Sequence, residues 1–98
     1  MRSRYVVCYD IADAKRLRAV HKKMRGYGDP VQYSVFRCDL SPAERTFLVE
    51  ALTELIHHRE DRVMLIDIGP TDGRGRECIE TLGVKPDENP VERICVVV

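Results

Sequence analysis

Ninety-eight residues, 44% hydrophobic and 33% charged, suffice for one small domain with a modest core. Lys+Arg and Asp+Glu each number 16, so the net charge is zero and makes no case for nucleic acid; such a case must come from where the charges lie. No long apolar stretch or signal peptide is present, which argues against a membrane span and makes a cytoplasmic protein the expectation.

In chain order, Arg4 to Asp10 reads as the first strand. Its run Tyr5-Val-Val-Cys-Tyr9 lacks polar alternation, the mark of a strand buried on both faces, and it ends in a carboxylate, Asp10. The carboxyl end of such a strand is a common place for reactive groups in sheets with helical crossovers. Asp10 is the leading catalytic candidate, set against a plain role as an Asx-turn residue. Asp13 is expected to cap a helix from Ala14 to Tyr27, with Leu17, Val20, Met24 and Tyr27 on one face. Lys15, Arg18, Lys22 and Arg25 share an exposed stripe, Arg16 and Lys23 lie on the opposite flank, and no acid interrupts Ala14 to Gly28. That stripe is either a solvated face or a phosphate-contacting one.

Gly26-Tyr-Gly-Asp-Pro30 is expected to stop the helix, with glycine in a left-handed cap. Val31 to Leu40 is rich in strand formers and reads as one bent strand or two short ones meeting near Ser34. Ser41-Pro-Ala-Glu44 opens a second helix through a capping box. Phe47, Leu48, Ala51, Leu52, Leu55 and Ile56 supply its apolar positions, and His57-His58-Arg59 is expected at its negative end. Arg62 to Ile68 is a third clear strand, 71–76 a cationic turn and Glu77 to Leu82 a weakly alternating short strand. Arg93 to Val98 is a bare apolar strand, and a second subunit is the obvious cover for it. The pattern predicts an α/β (α+β) sandwich of the ferredoxin-like type, one mainly antiparallel sheet with two helices on one face. One domain spans 1–98, with 91–98 as a dimer-pairing strand.

Cys8, Cys38, Cys78 and Cys95 have no C-x-x-C spacing and lie in or beside apolar runs, so reduced buried thiols are expected and not zinc ligands. Asp39 and Asp67 read as structural. One aspartate holds Mg2+ poorly, because the ion takes carboxylates and several waters in octahedral geometry. A two-fold dimer repairs this if two Asp10 side chains face each other across the axis.

The chain resembles the CRISPR-associated protein 2 family. The resemblance rests on Tyr9-Asp10-Ile11 ending the first strand, the Arg-rich first helix, Val31-Gln-Tyr-Ser-Val-Phe36 and the late Thr81 to Pro86. It implies a homodimer whose C-terminal strand pairs with the partner, bridging dimers of the integrase CRISPR-associated protein 1 to insert foreign DNA as new spacers. It also implies a Mg2+-dependent endonuclease on RNA or DNA. Asp10 would bind the metal with support from Tyr9. Arg16 or Arg18 would contact phosphate, with Lys15 and Lys22 on the same helix, and Ser34 and Phe36 would lie near the same face. Pro30 stands where members often carry Arg, so no phosphate contact is carried over to that position. Outside the resemblance, the alternatives are a non-catalytic DNA-binding scaffold, which needs the basic helix but not Asp10, and a ligand-sensing ferredoxin-like domain, against which the basic helix argues.

Overall fold

Two-sided apolar character puts β1 (Ser3–Asp10) inside the sheet. In the computed structural model, which describes residues 1–84, it is followed by α1 (Ala14–Arg25), β2 (Asp29–Gln32), β3 (Val35–Leu40), α2 (Pro42–Leu55), β4 (Arg62–Pro70) and α3 (Arg74–Glu77). The strands stand in the order β2-β3-β1-β4, each neighbouring pair antiparallel. This is the ferredoxin-like arrangement that the sequence predicts.

Strand alternation divides the sheet into two unlike faces. Val7 and Tyr9 of β1 and Phe36, Cys38 and Leu40 of β3 point to the helical side. There they meet Val20 and Met24 of α1 and Leu48 and Leu52 of α2, with Val63 and Leu65 of β4 packed against the group. The opposite face carries Val6, Cys8 and Val35, none fully buried, together with Met64 and Ile66, which are 49% and 44% exposed. No helix covers this second face among the described residues. At its upper end a bidentate pair crosses from β1 to β3: Arg4 donates to both carboxylate oxygens of Asp39, at 2.7 and 3.0 Å.

Helix starts follow the local code. Asp13 accepts from the Arg16 amide, and Ser41 and Glu44 close a reciprocal capping box. Helix ends depart from it. The first helix stops at Arg25, and Gly26 is right-handed (φ −78°), so the expected left-handed cap does not form. Glycine is needed two residues later for space: a Cβ on Gly28 would lie 2.3 Å from the Arg37 carbonyl oxygen. The second helix stops at Leu55, which leaves His57 and His58 beyond it and no basic residue in its last turn. Phe47 is 59% exposed, because Leu48 and Leu52 centre the buried stripe and Phe47 falls on its flank.

The 31–40 stretch resolves as two strands broken at Tyr33-Ser34. Pro30 sits on edge strand β2, where a missing N–H is tolerated. The strand expected over Glu77 to Leu82 is absent. The chain instead makes the short turn of α3, whose Gly75 is buried within 2.5 Å, by its would-be Cβ, of the Gly69 carbonyl oxygen. Cys38 is buried as expected, whereas Cys8, on the sheet face without a helix, is half-buried and Cys78, beyond α3, is exposed. The expected terminal strand, 91–98, lies outside the described residues.

Candidate active site and nucleic-acid surface

Asp10 ends the central strand and is exposed. Its neighbour on β4 is Arg62. Alternation turns it away from Tyr9, toward the sheet face that carries no helix. The Asp10 carboxylate makes no hydrogen bond or ion pair among the described residues. A carboxylate with both oxygens free is open to a cation or a substrate.

Tyr9 works from the other side. Its ring is buried and stacked on Phe36, centroids 6.2 Å apart. Its hydroxyl lies 2.9 Å from His21 Nδ1 and donates to the Tyr33 carbonyl at 3.4 Å, while its N–H donates to the Ser34 carbonyl at 3.1 Å. Tyr9 therefore ties β1, α1 and the β2–β3 turn together under Asp10. Burial first, and the nearby Tyr33 second, hold its phenol well above the ordinary range, so it stays protonated. Burial, and then Arg25, lower His21, which favours the neutral ring. Phe36 is fully buried on the helical face and Ser34 lies in the turn, so neither shares the open face of Asp10. Period-two alternation separates them.

Behind Asp10 lies a residue that sequence reasoning missed. The Asp61 side chain is wholly buried. It accepts from the Ala12 and His57 amides, at 2.9 and 2.8 Å, and from Arg16 Nε at 2.8 Å. Arg16 also donates to Glu60 at 3.0 Å. The Arg16 hydrogen bond is the main cause that holds Asp61 far below the usual carboxylate range. Nothing in a single sequence pairs residue 16 with residue 61; only an acid just ahead of a strand was visible. Lys15, Arg18 and Lys22, by contrast, are exposed on α1 and form no ion pair among the described residues. Of the basic set expected to meet phosphate, the structure leaves these three free and engages Arg16.

Residues 1–74 match the family described as CRISPR associated protein Cas2. The chain belongs to the Cas2 family. The matched stretch runs from β1 into α3 and contains every candidate site residue; it ends before the late Thr81 to Pro86 motif. Among Cas2 relatives, the chain is 48% identical over 68 residues to the CRISPR-associated endoribonuclease Cas2 1 of Rhodospirillum rubrum, covering 69% of this chain and 67% of that one. It is 33% identical over 86 residues to the CRISPR-associated endonuclease Cas2 of Halalkalibacterium halodurans, covering 83% and 86%. The crystal structure of Streptococcus pyogenes Cas2 superposes with a TM-score of 0.71 at 34% identity, covering 82% of this chain and 99% of that one.

The residues can also be tested against a divalent cation. Among the described residues no three His, Cys, Asp or Glu side chains gather as a ligand set. At the end of β1, among the described residues, one chain thus offers Asp10 alone as a free carboxylate. That fits Mg2+ only where a second carboxylate and waters complete the shell. No described helix is long and apolar enough to cross a membrane.

Proposed function

We propose that this Cas2 chain acts in CRISPR adaptation as a homodimer that binds nucleic acid and cleaves it as a metal-dependent endonuclease. The observation that carries this reading is the position of Asp10: among the described residues, a free carboxylate at the rim of an uncovered, partly apolar sheet face. Packing that face on a second copy would bring two Asp10 residues toward one axis. A divalent cation held by the pair supplies charge neutralisation at a phosphate and a more acidic water. Asp10 holds and orients; Tyr9, neutral and tied at both ends, keeps the strand end in place; Lys15, Arg18 and Lys22 grip the backbone on either side. The two relatives named above are an endoribonuclease and an endonuclease, so RNA and DNA are both substrates to assay.

Asp10→Asn is the test. Asn keeps the shape and removes the charge, so fold and binding should persist while Mg2+-dependent cleavage drops by about two orders of magnitude or more. Undiminished cleavage by the purified variant would refute the assignment. The absence of a three-ligand cluster among the described residues favours a second reading, a non-catalytic DNA-binding scaffold that bridges dimers of the integrase CRISPR-associated protein 1. In that case Asp10→Asn would leave spacer acquisition intact, and the basic stripe of α1 alone would matter.

A further inference from the structure

Asp10 is free among the described residues, so nothing but its backbone sets where its carboxylate stands. Beyond the sheet pairing and the Tyr9 amide, that backbone is held by Asp61. Ala12, two residues on, donates to Asp61 Oδ1 at 2.9 Å, and Asp10 pairs across the sheet with Arg62, the residue after Asp61. Asp61 also takes the His57 amide, at 2.8 Å, and two nitrogens of Arg16, at 2.8 and 3.3 Å. One buried carboxylate therefore joins the turn after β1, the first turn of α1 and the loop before β4.

We propose that Asp61 and Arg16 form the positioning pair that fixes Asp10 for cleavage, and that Arg16 acts through Asp61 and not on a phosphate. The inference rests on the reading of Asp10 as the catalytic acid. The geometry opposes a phosphate role for Arg16. Its side chain is only 27% exposed, and its guanidinium is already forked onto Asp61 and Glu60. Swinging it to a phosphate would strip Asp61 of its cation and of both Arg16 hydrogen bonds, which is unfavourable. The fork is also specific. Two guanidinium nitrogens engage two carboxylate oxygens, and an ammonium cannot reproduce that geometry.

Arg16→Lys separates the two roles, because lysine keeps the charge that a phosphate needs and loses the fork that Asp61 needs. Full-length protein is assayed with labelled single-stranded RNA and duplex DNA in Mg2+. Arg16→Lys and Asp61→Asn should lower kcat by about tenfold or more, as loss of a residue supporting a metal ligand does, and leave KM and the salt dependence of binding within about twofold. Amide exchange at Ala12 and His57 should accelerate in Asp61→Asn, a readout independent of metal and activity. Arg18→Ala should do the reverse, raising KM with kcat nearly unchanged. Near wild-type kcat in Arg16→Lys, or unchanged exchange and cleavage in Asp61→Asn, would overturn the proposal. Should Asp61→Asn fail to fold, Arg16→Lys decides, since it retains a cation beside the buried acid. Asp10→Asn run alongside keeps the two readings apart. If that variant cleaves normally, or wild type cuts neither substrate, the nuclease reading falls and the positioning role with it. If Asp10→Asn is dead while the clamp variants cut normally, only the positioning pair is wrong.

Discussion

Asp39 and Asp61 each hold an arginine, and both carboxylates titrate below the ordinary range, the hydrogen bonds from Arg4 and Arg16 being the main causes. A carboxylate depressed in the folded state contributes stability above its unfolded value of 3.8, and loses it as pH falls through the folded value. The thermal midpoint should therefore decline below about pH 4, and Asp61→Asn should flatten that decline. A midpoint that stays level from about pH 6 to about pH 2 would contradict the coupling. Gly28 gives a second single-residue test. Its α-hydrogen faces the Arg37 carbonyl and the Cys38 sulfur, which a Cβ would approach to 2.3 and 2.6 Å. Gly28→Ala should lower stability by about 1–3 kcal/mol in chemical denaturation, as overpacking does. What was legible at this scale was local. Asp13, Ser41 and Glu44 are caps within three residues of their partners, and Asp39 proves structural, as read. The long-range pairs, Arg4 with Asp39 and Arg16 with Asp61, span 35 and 45 positions, and no pattern in one sequence links them.

At the scale of elements, α1 bears the exposed cations. Asp13 starts the helix and Val20 and Met24 bury one side of it, which fixes Arg18 and Lys22 on the solvent side. Replacing both with Ala should weaken binding to every nucleic-acid sequence alike. Each lost phosphate contact should flatten the slope of log affinity against log salt by about 1. An unchanged slope would exclude this helix as the binding surface, and a loss confined to one sequence would mean base readout. The two longer helices were legible because their apolar positions recur at helical spacing over twelve or more residues, and the first strand because its apolar run is continuous. Short segments were not. Six residues of weak alternation at 77–82 cannot outweigh a glycine turn packed on Gly69, and the break between β2 and β3 depends on the Tyr33-Ser34 turn being held by Tyr9. The Tyr9 hydroxyl spans His21 and Tyr33 from inside the core, contacts that no pattern in the sequence announces.

The whole molecule is asymmetric in its covering. Among the described residues, one sheet face is sealed by two helices, while the other exposes Met64 and Ile66 at 49% and 44% beside Val6, Cys8 and Val35. β4, which carries both exposed side chains, is also a sheet edge among the described residues. The homodimer proposal has a second copy cover the face, with the strand expected over 93–98 extending the edge. The proposal of a homodimer can be separated from the catalytic one at this scale. Met64→Lys with Ile66→Lys should change the stability of a monomer by no more than about 0.5 kcal/mol per site, since both positions are already exposed. In a dimer the same lysines would be buried unpaired, in place of side chains whose burial stabilises by about 1.5–3 kcal/mol each. The double variant should therefore sediment as a folded monomer. Cleavage should be lost with the dimer, because each subunit holds only one Asp10, whereas each α1 should still bind nucleic acid with weaker avidity. Deleting 93–98 provides the edge counterpart, and it should lower dimer affinity or solubility without touching α1. A double-lysine variant that remains dimeric by ultracentrifugation, with wild-type cleavage, would show that the two Asp10 residues do not meet across this face.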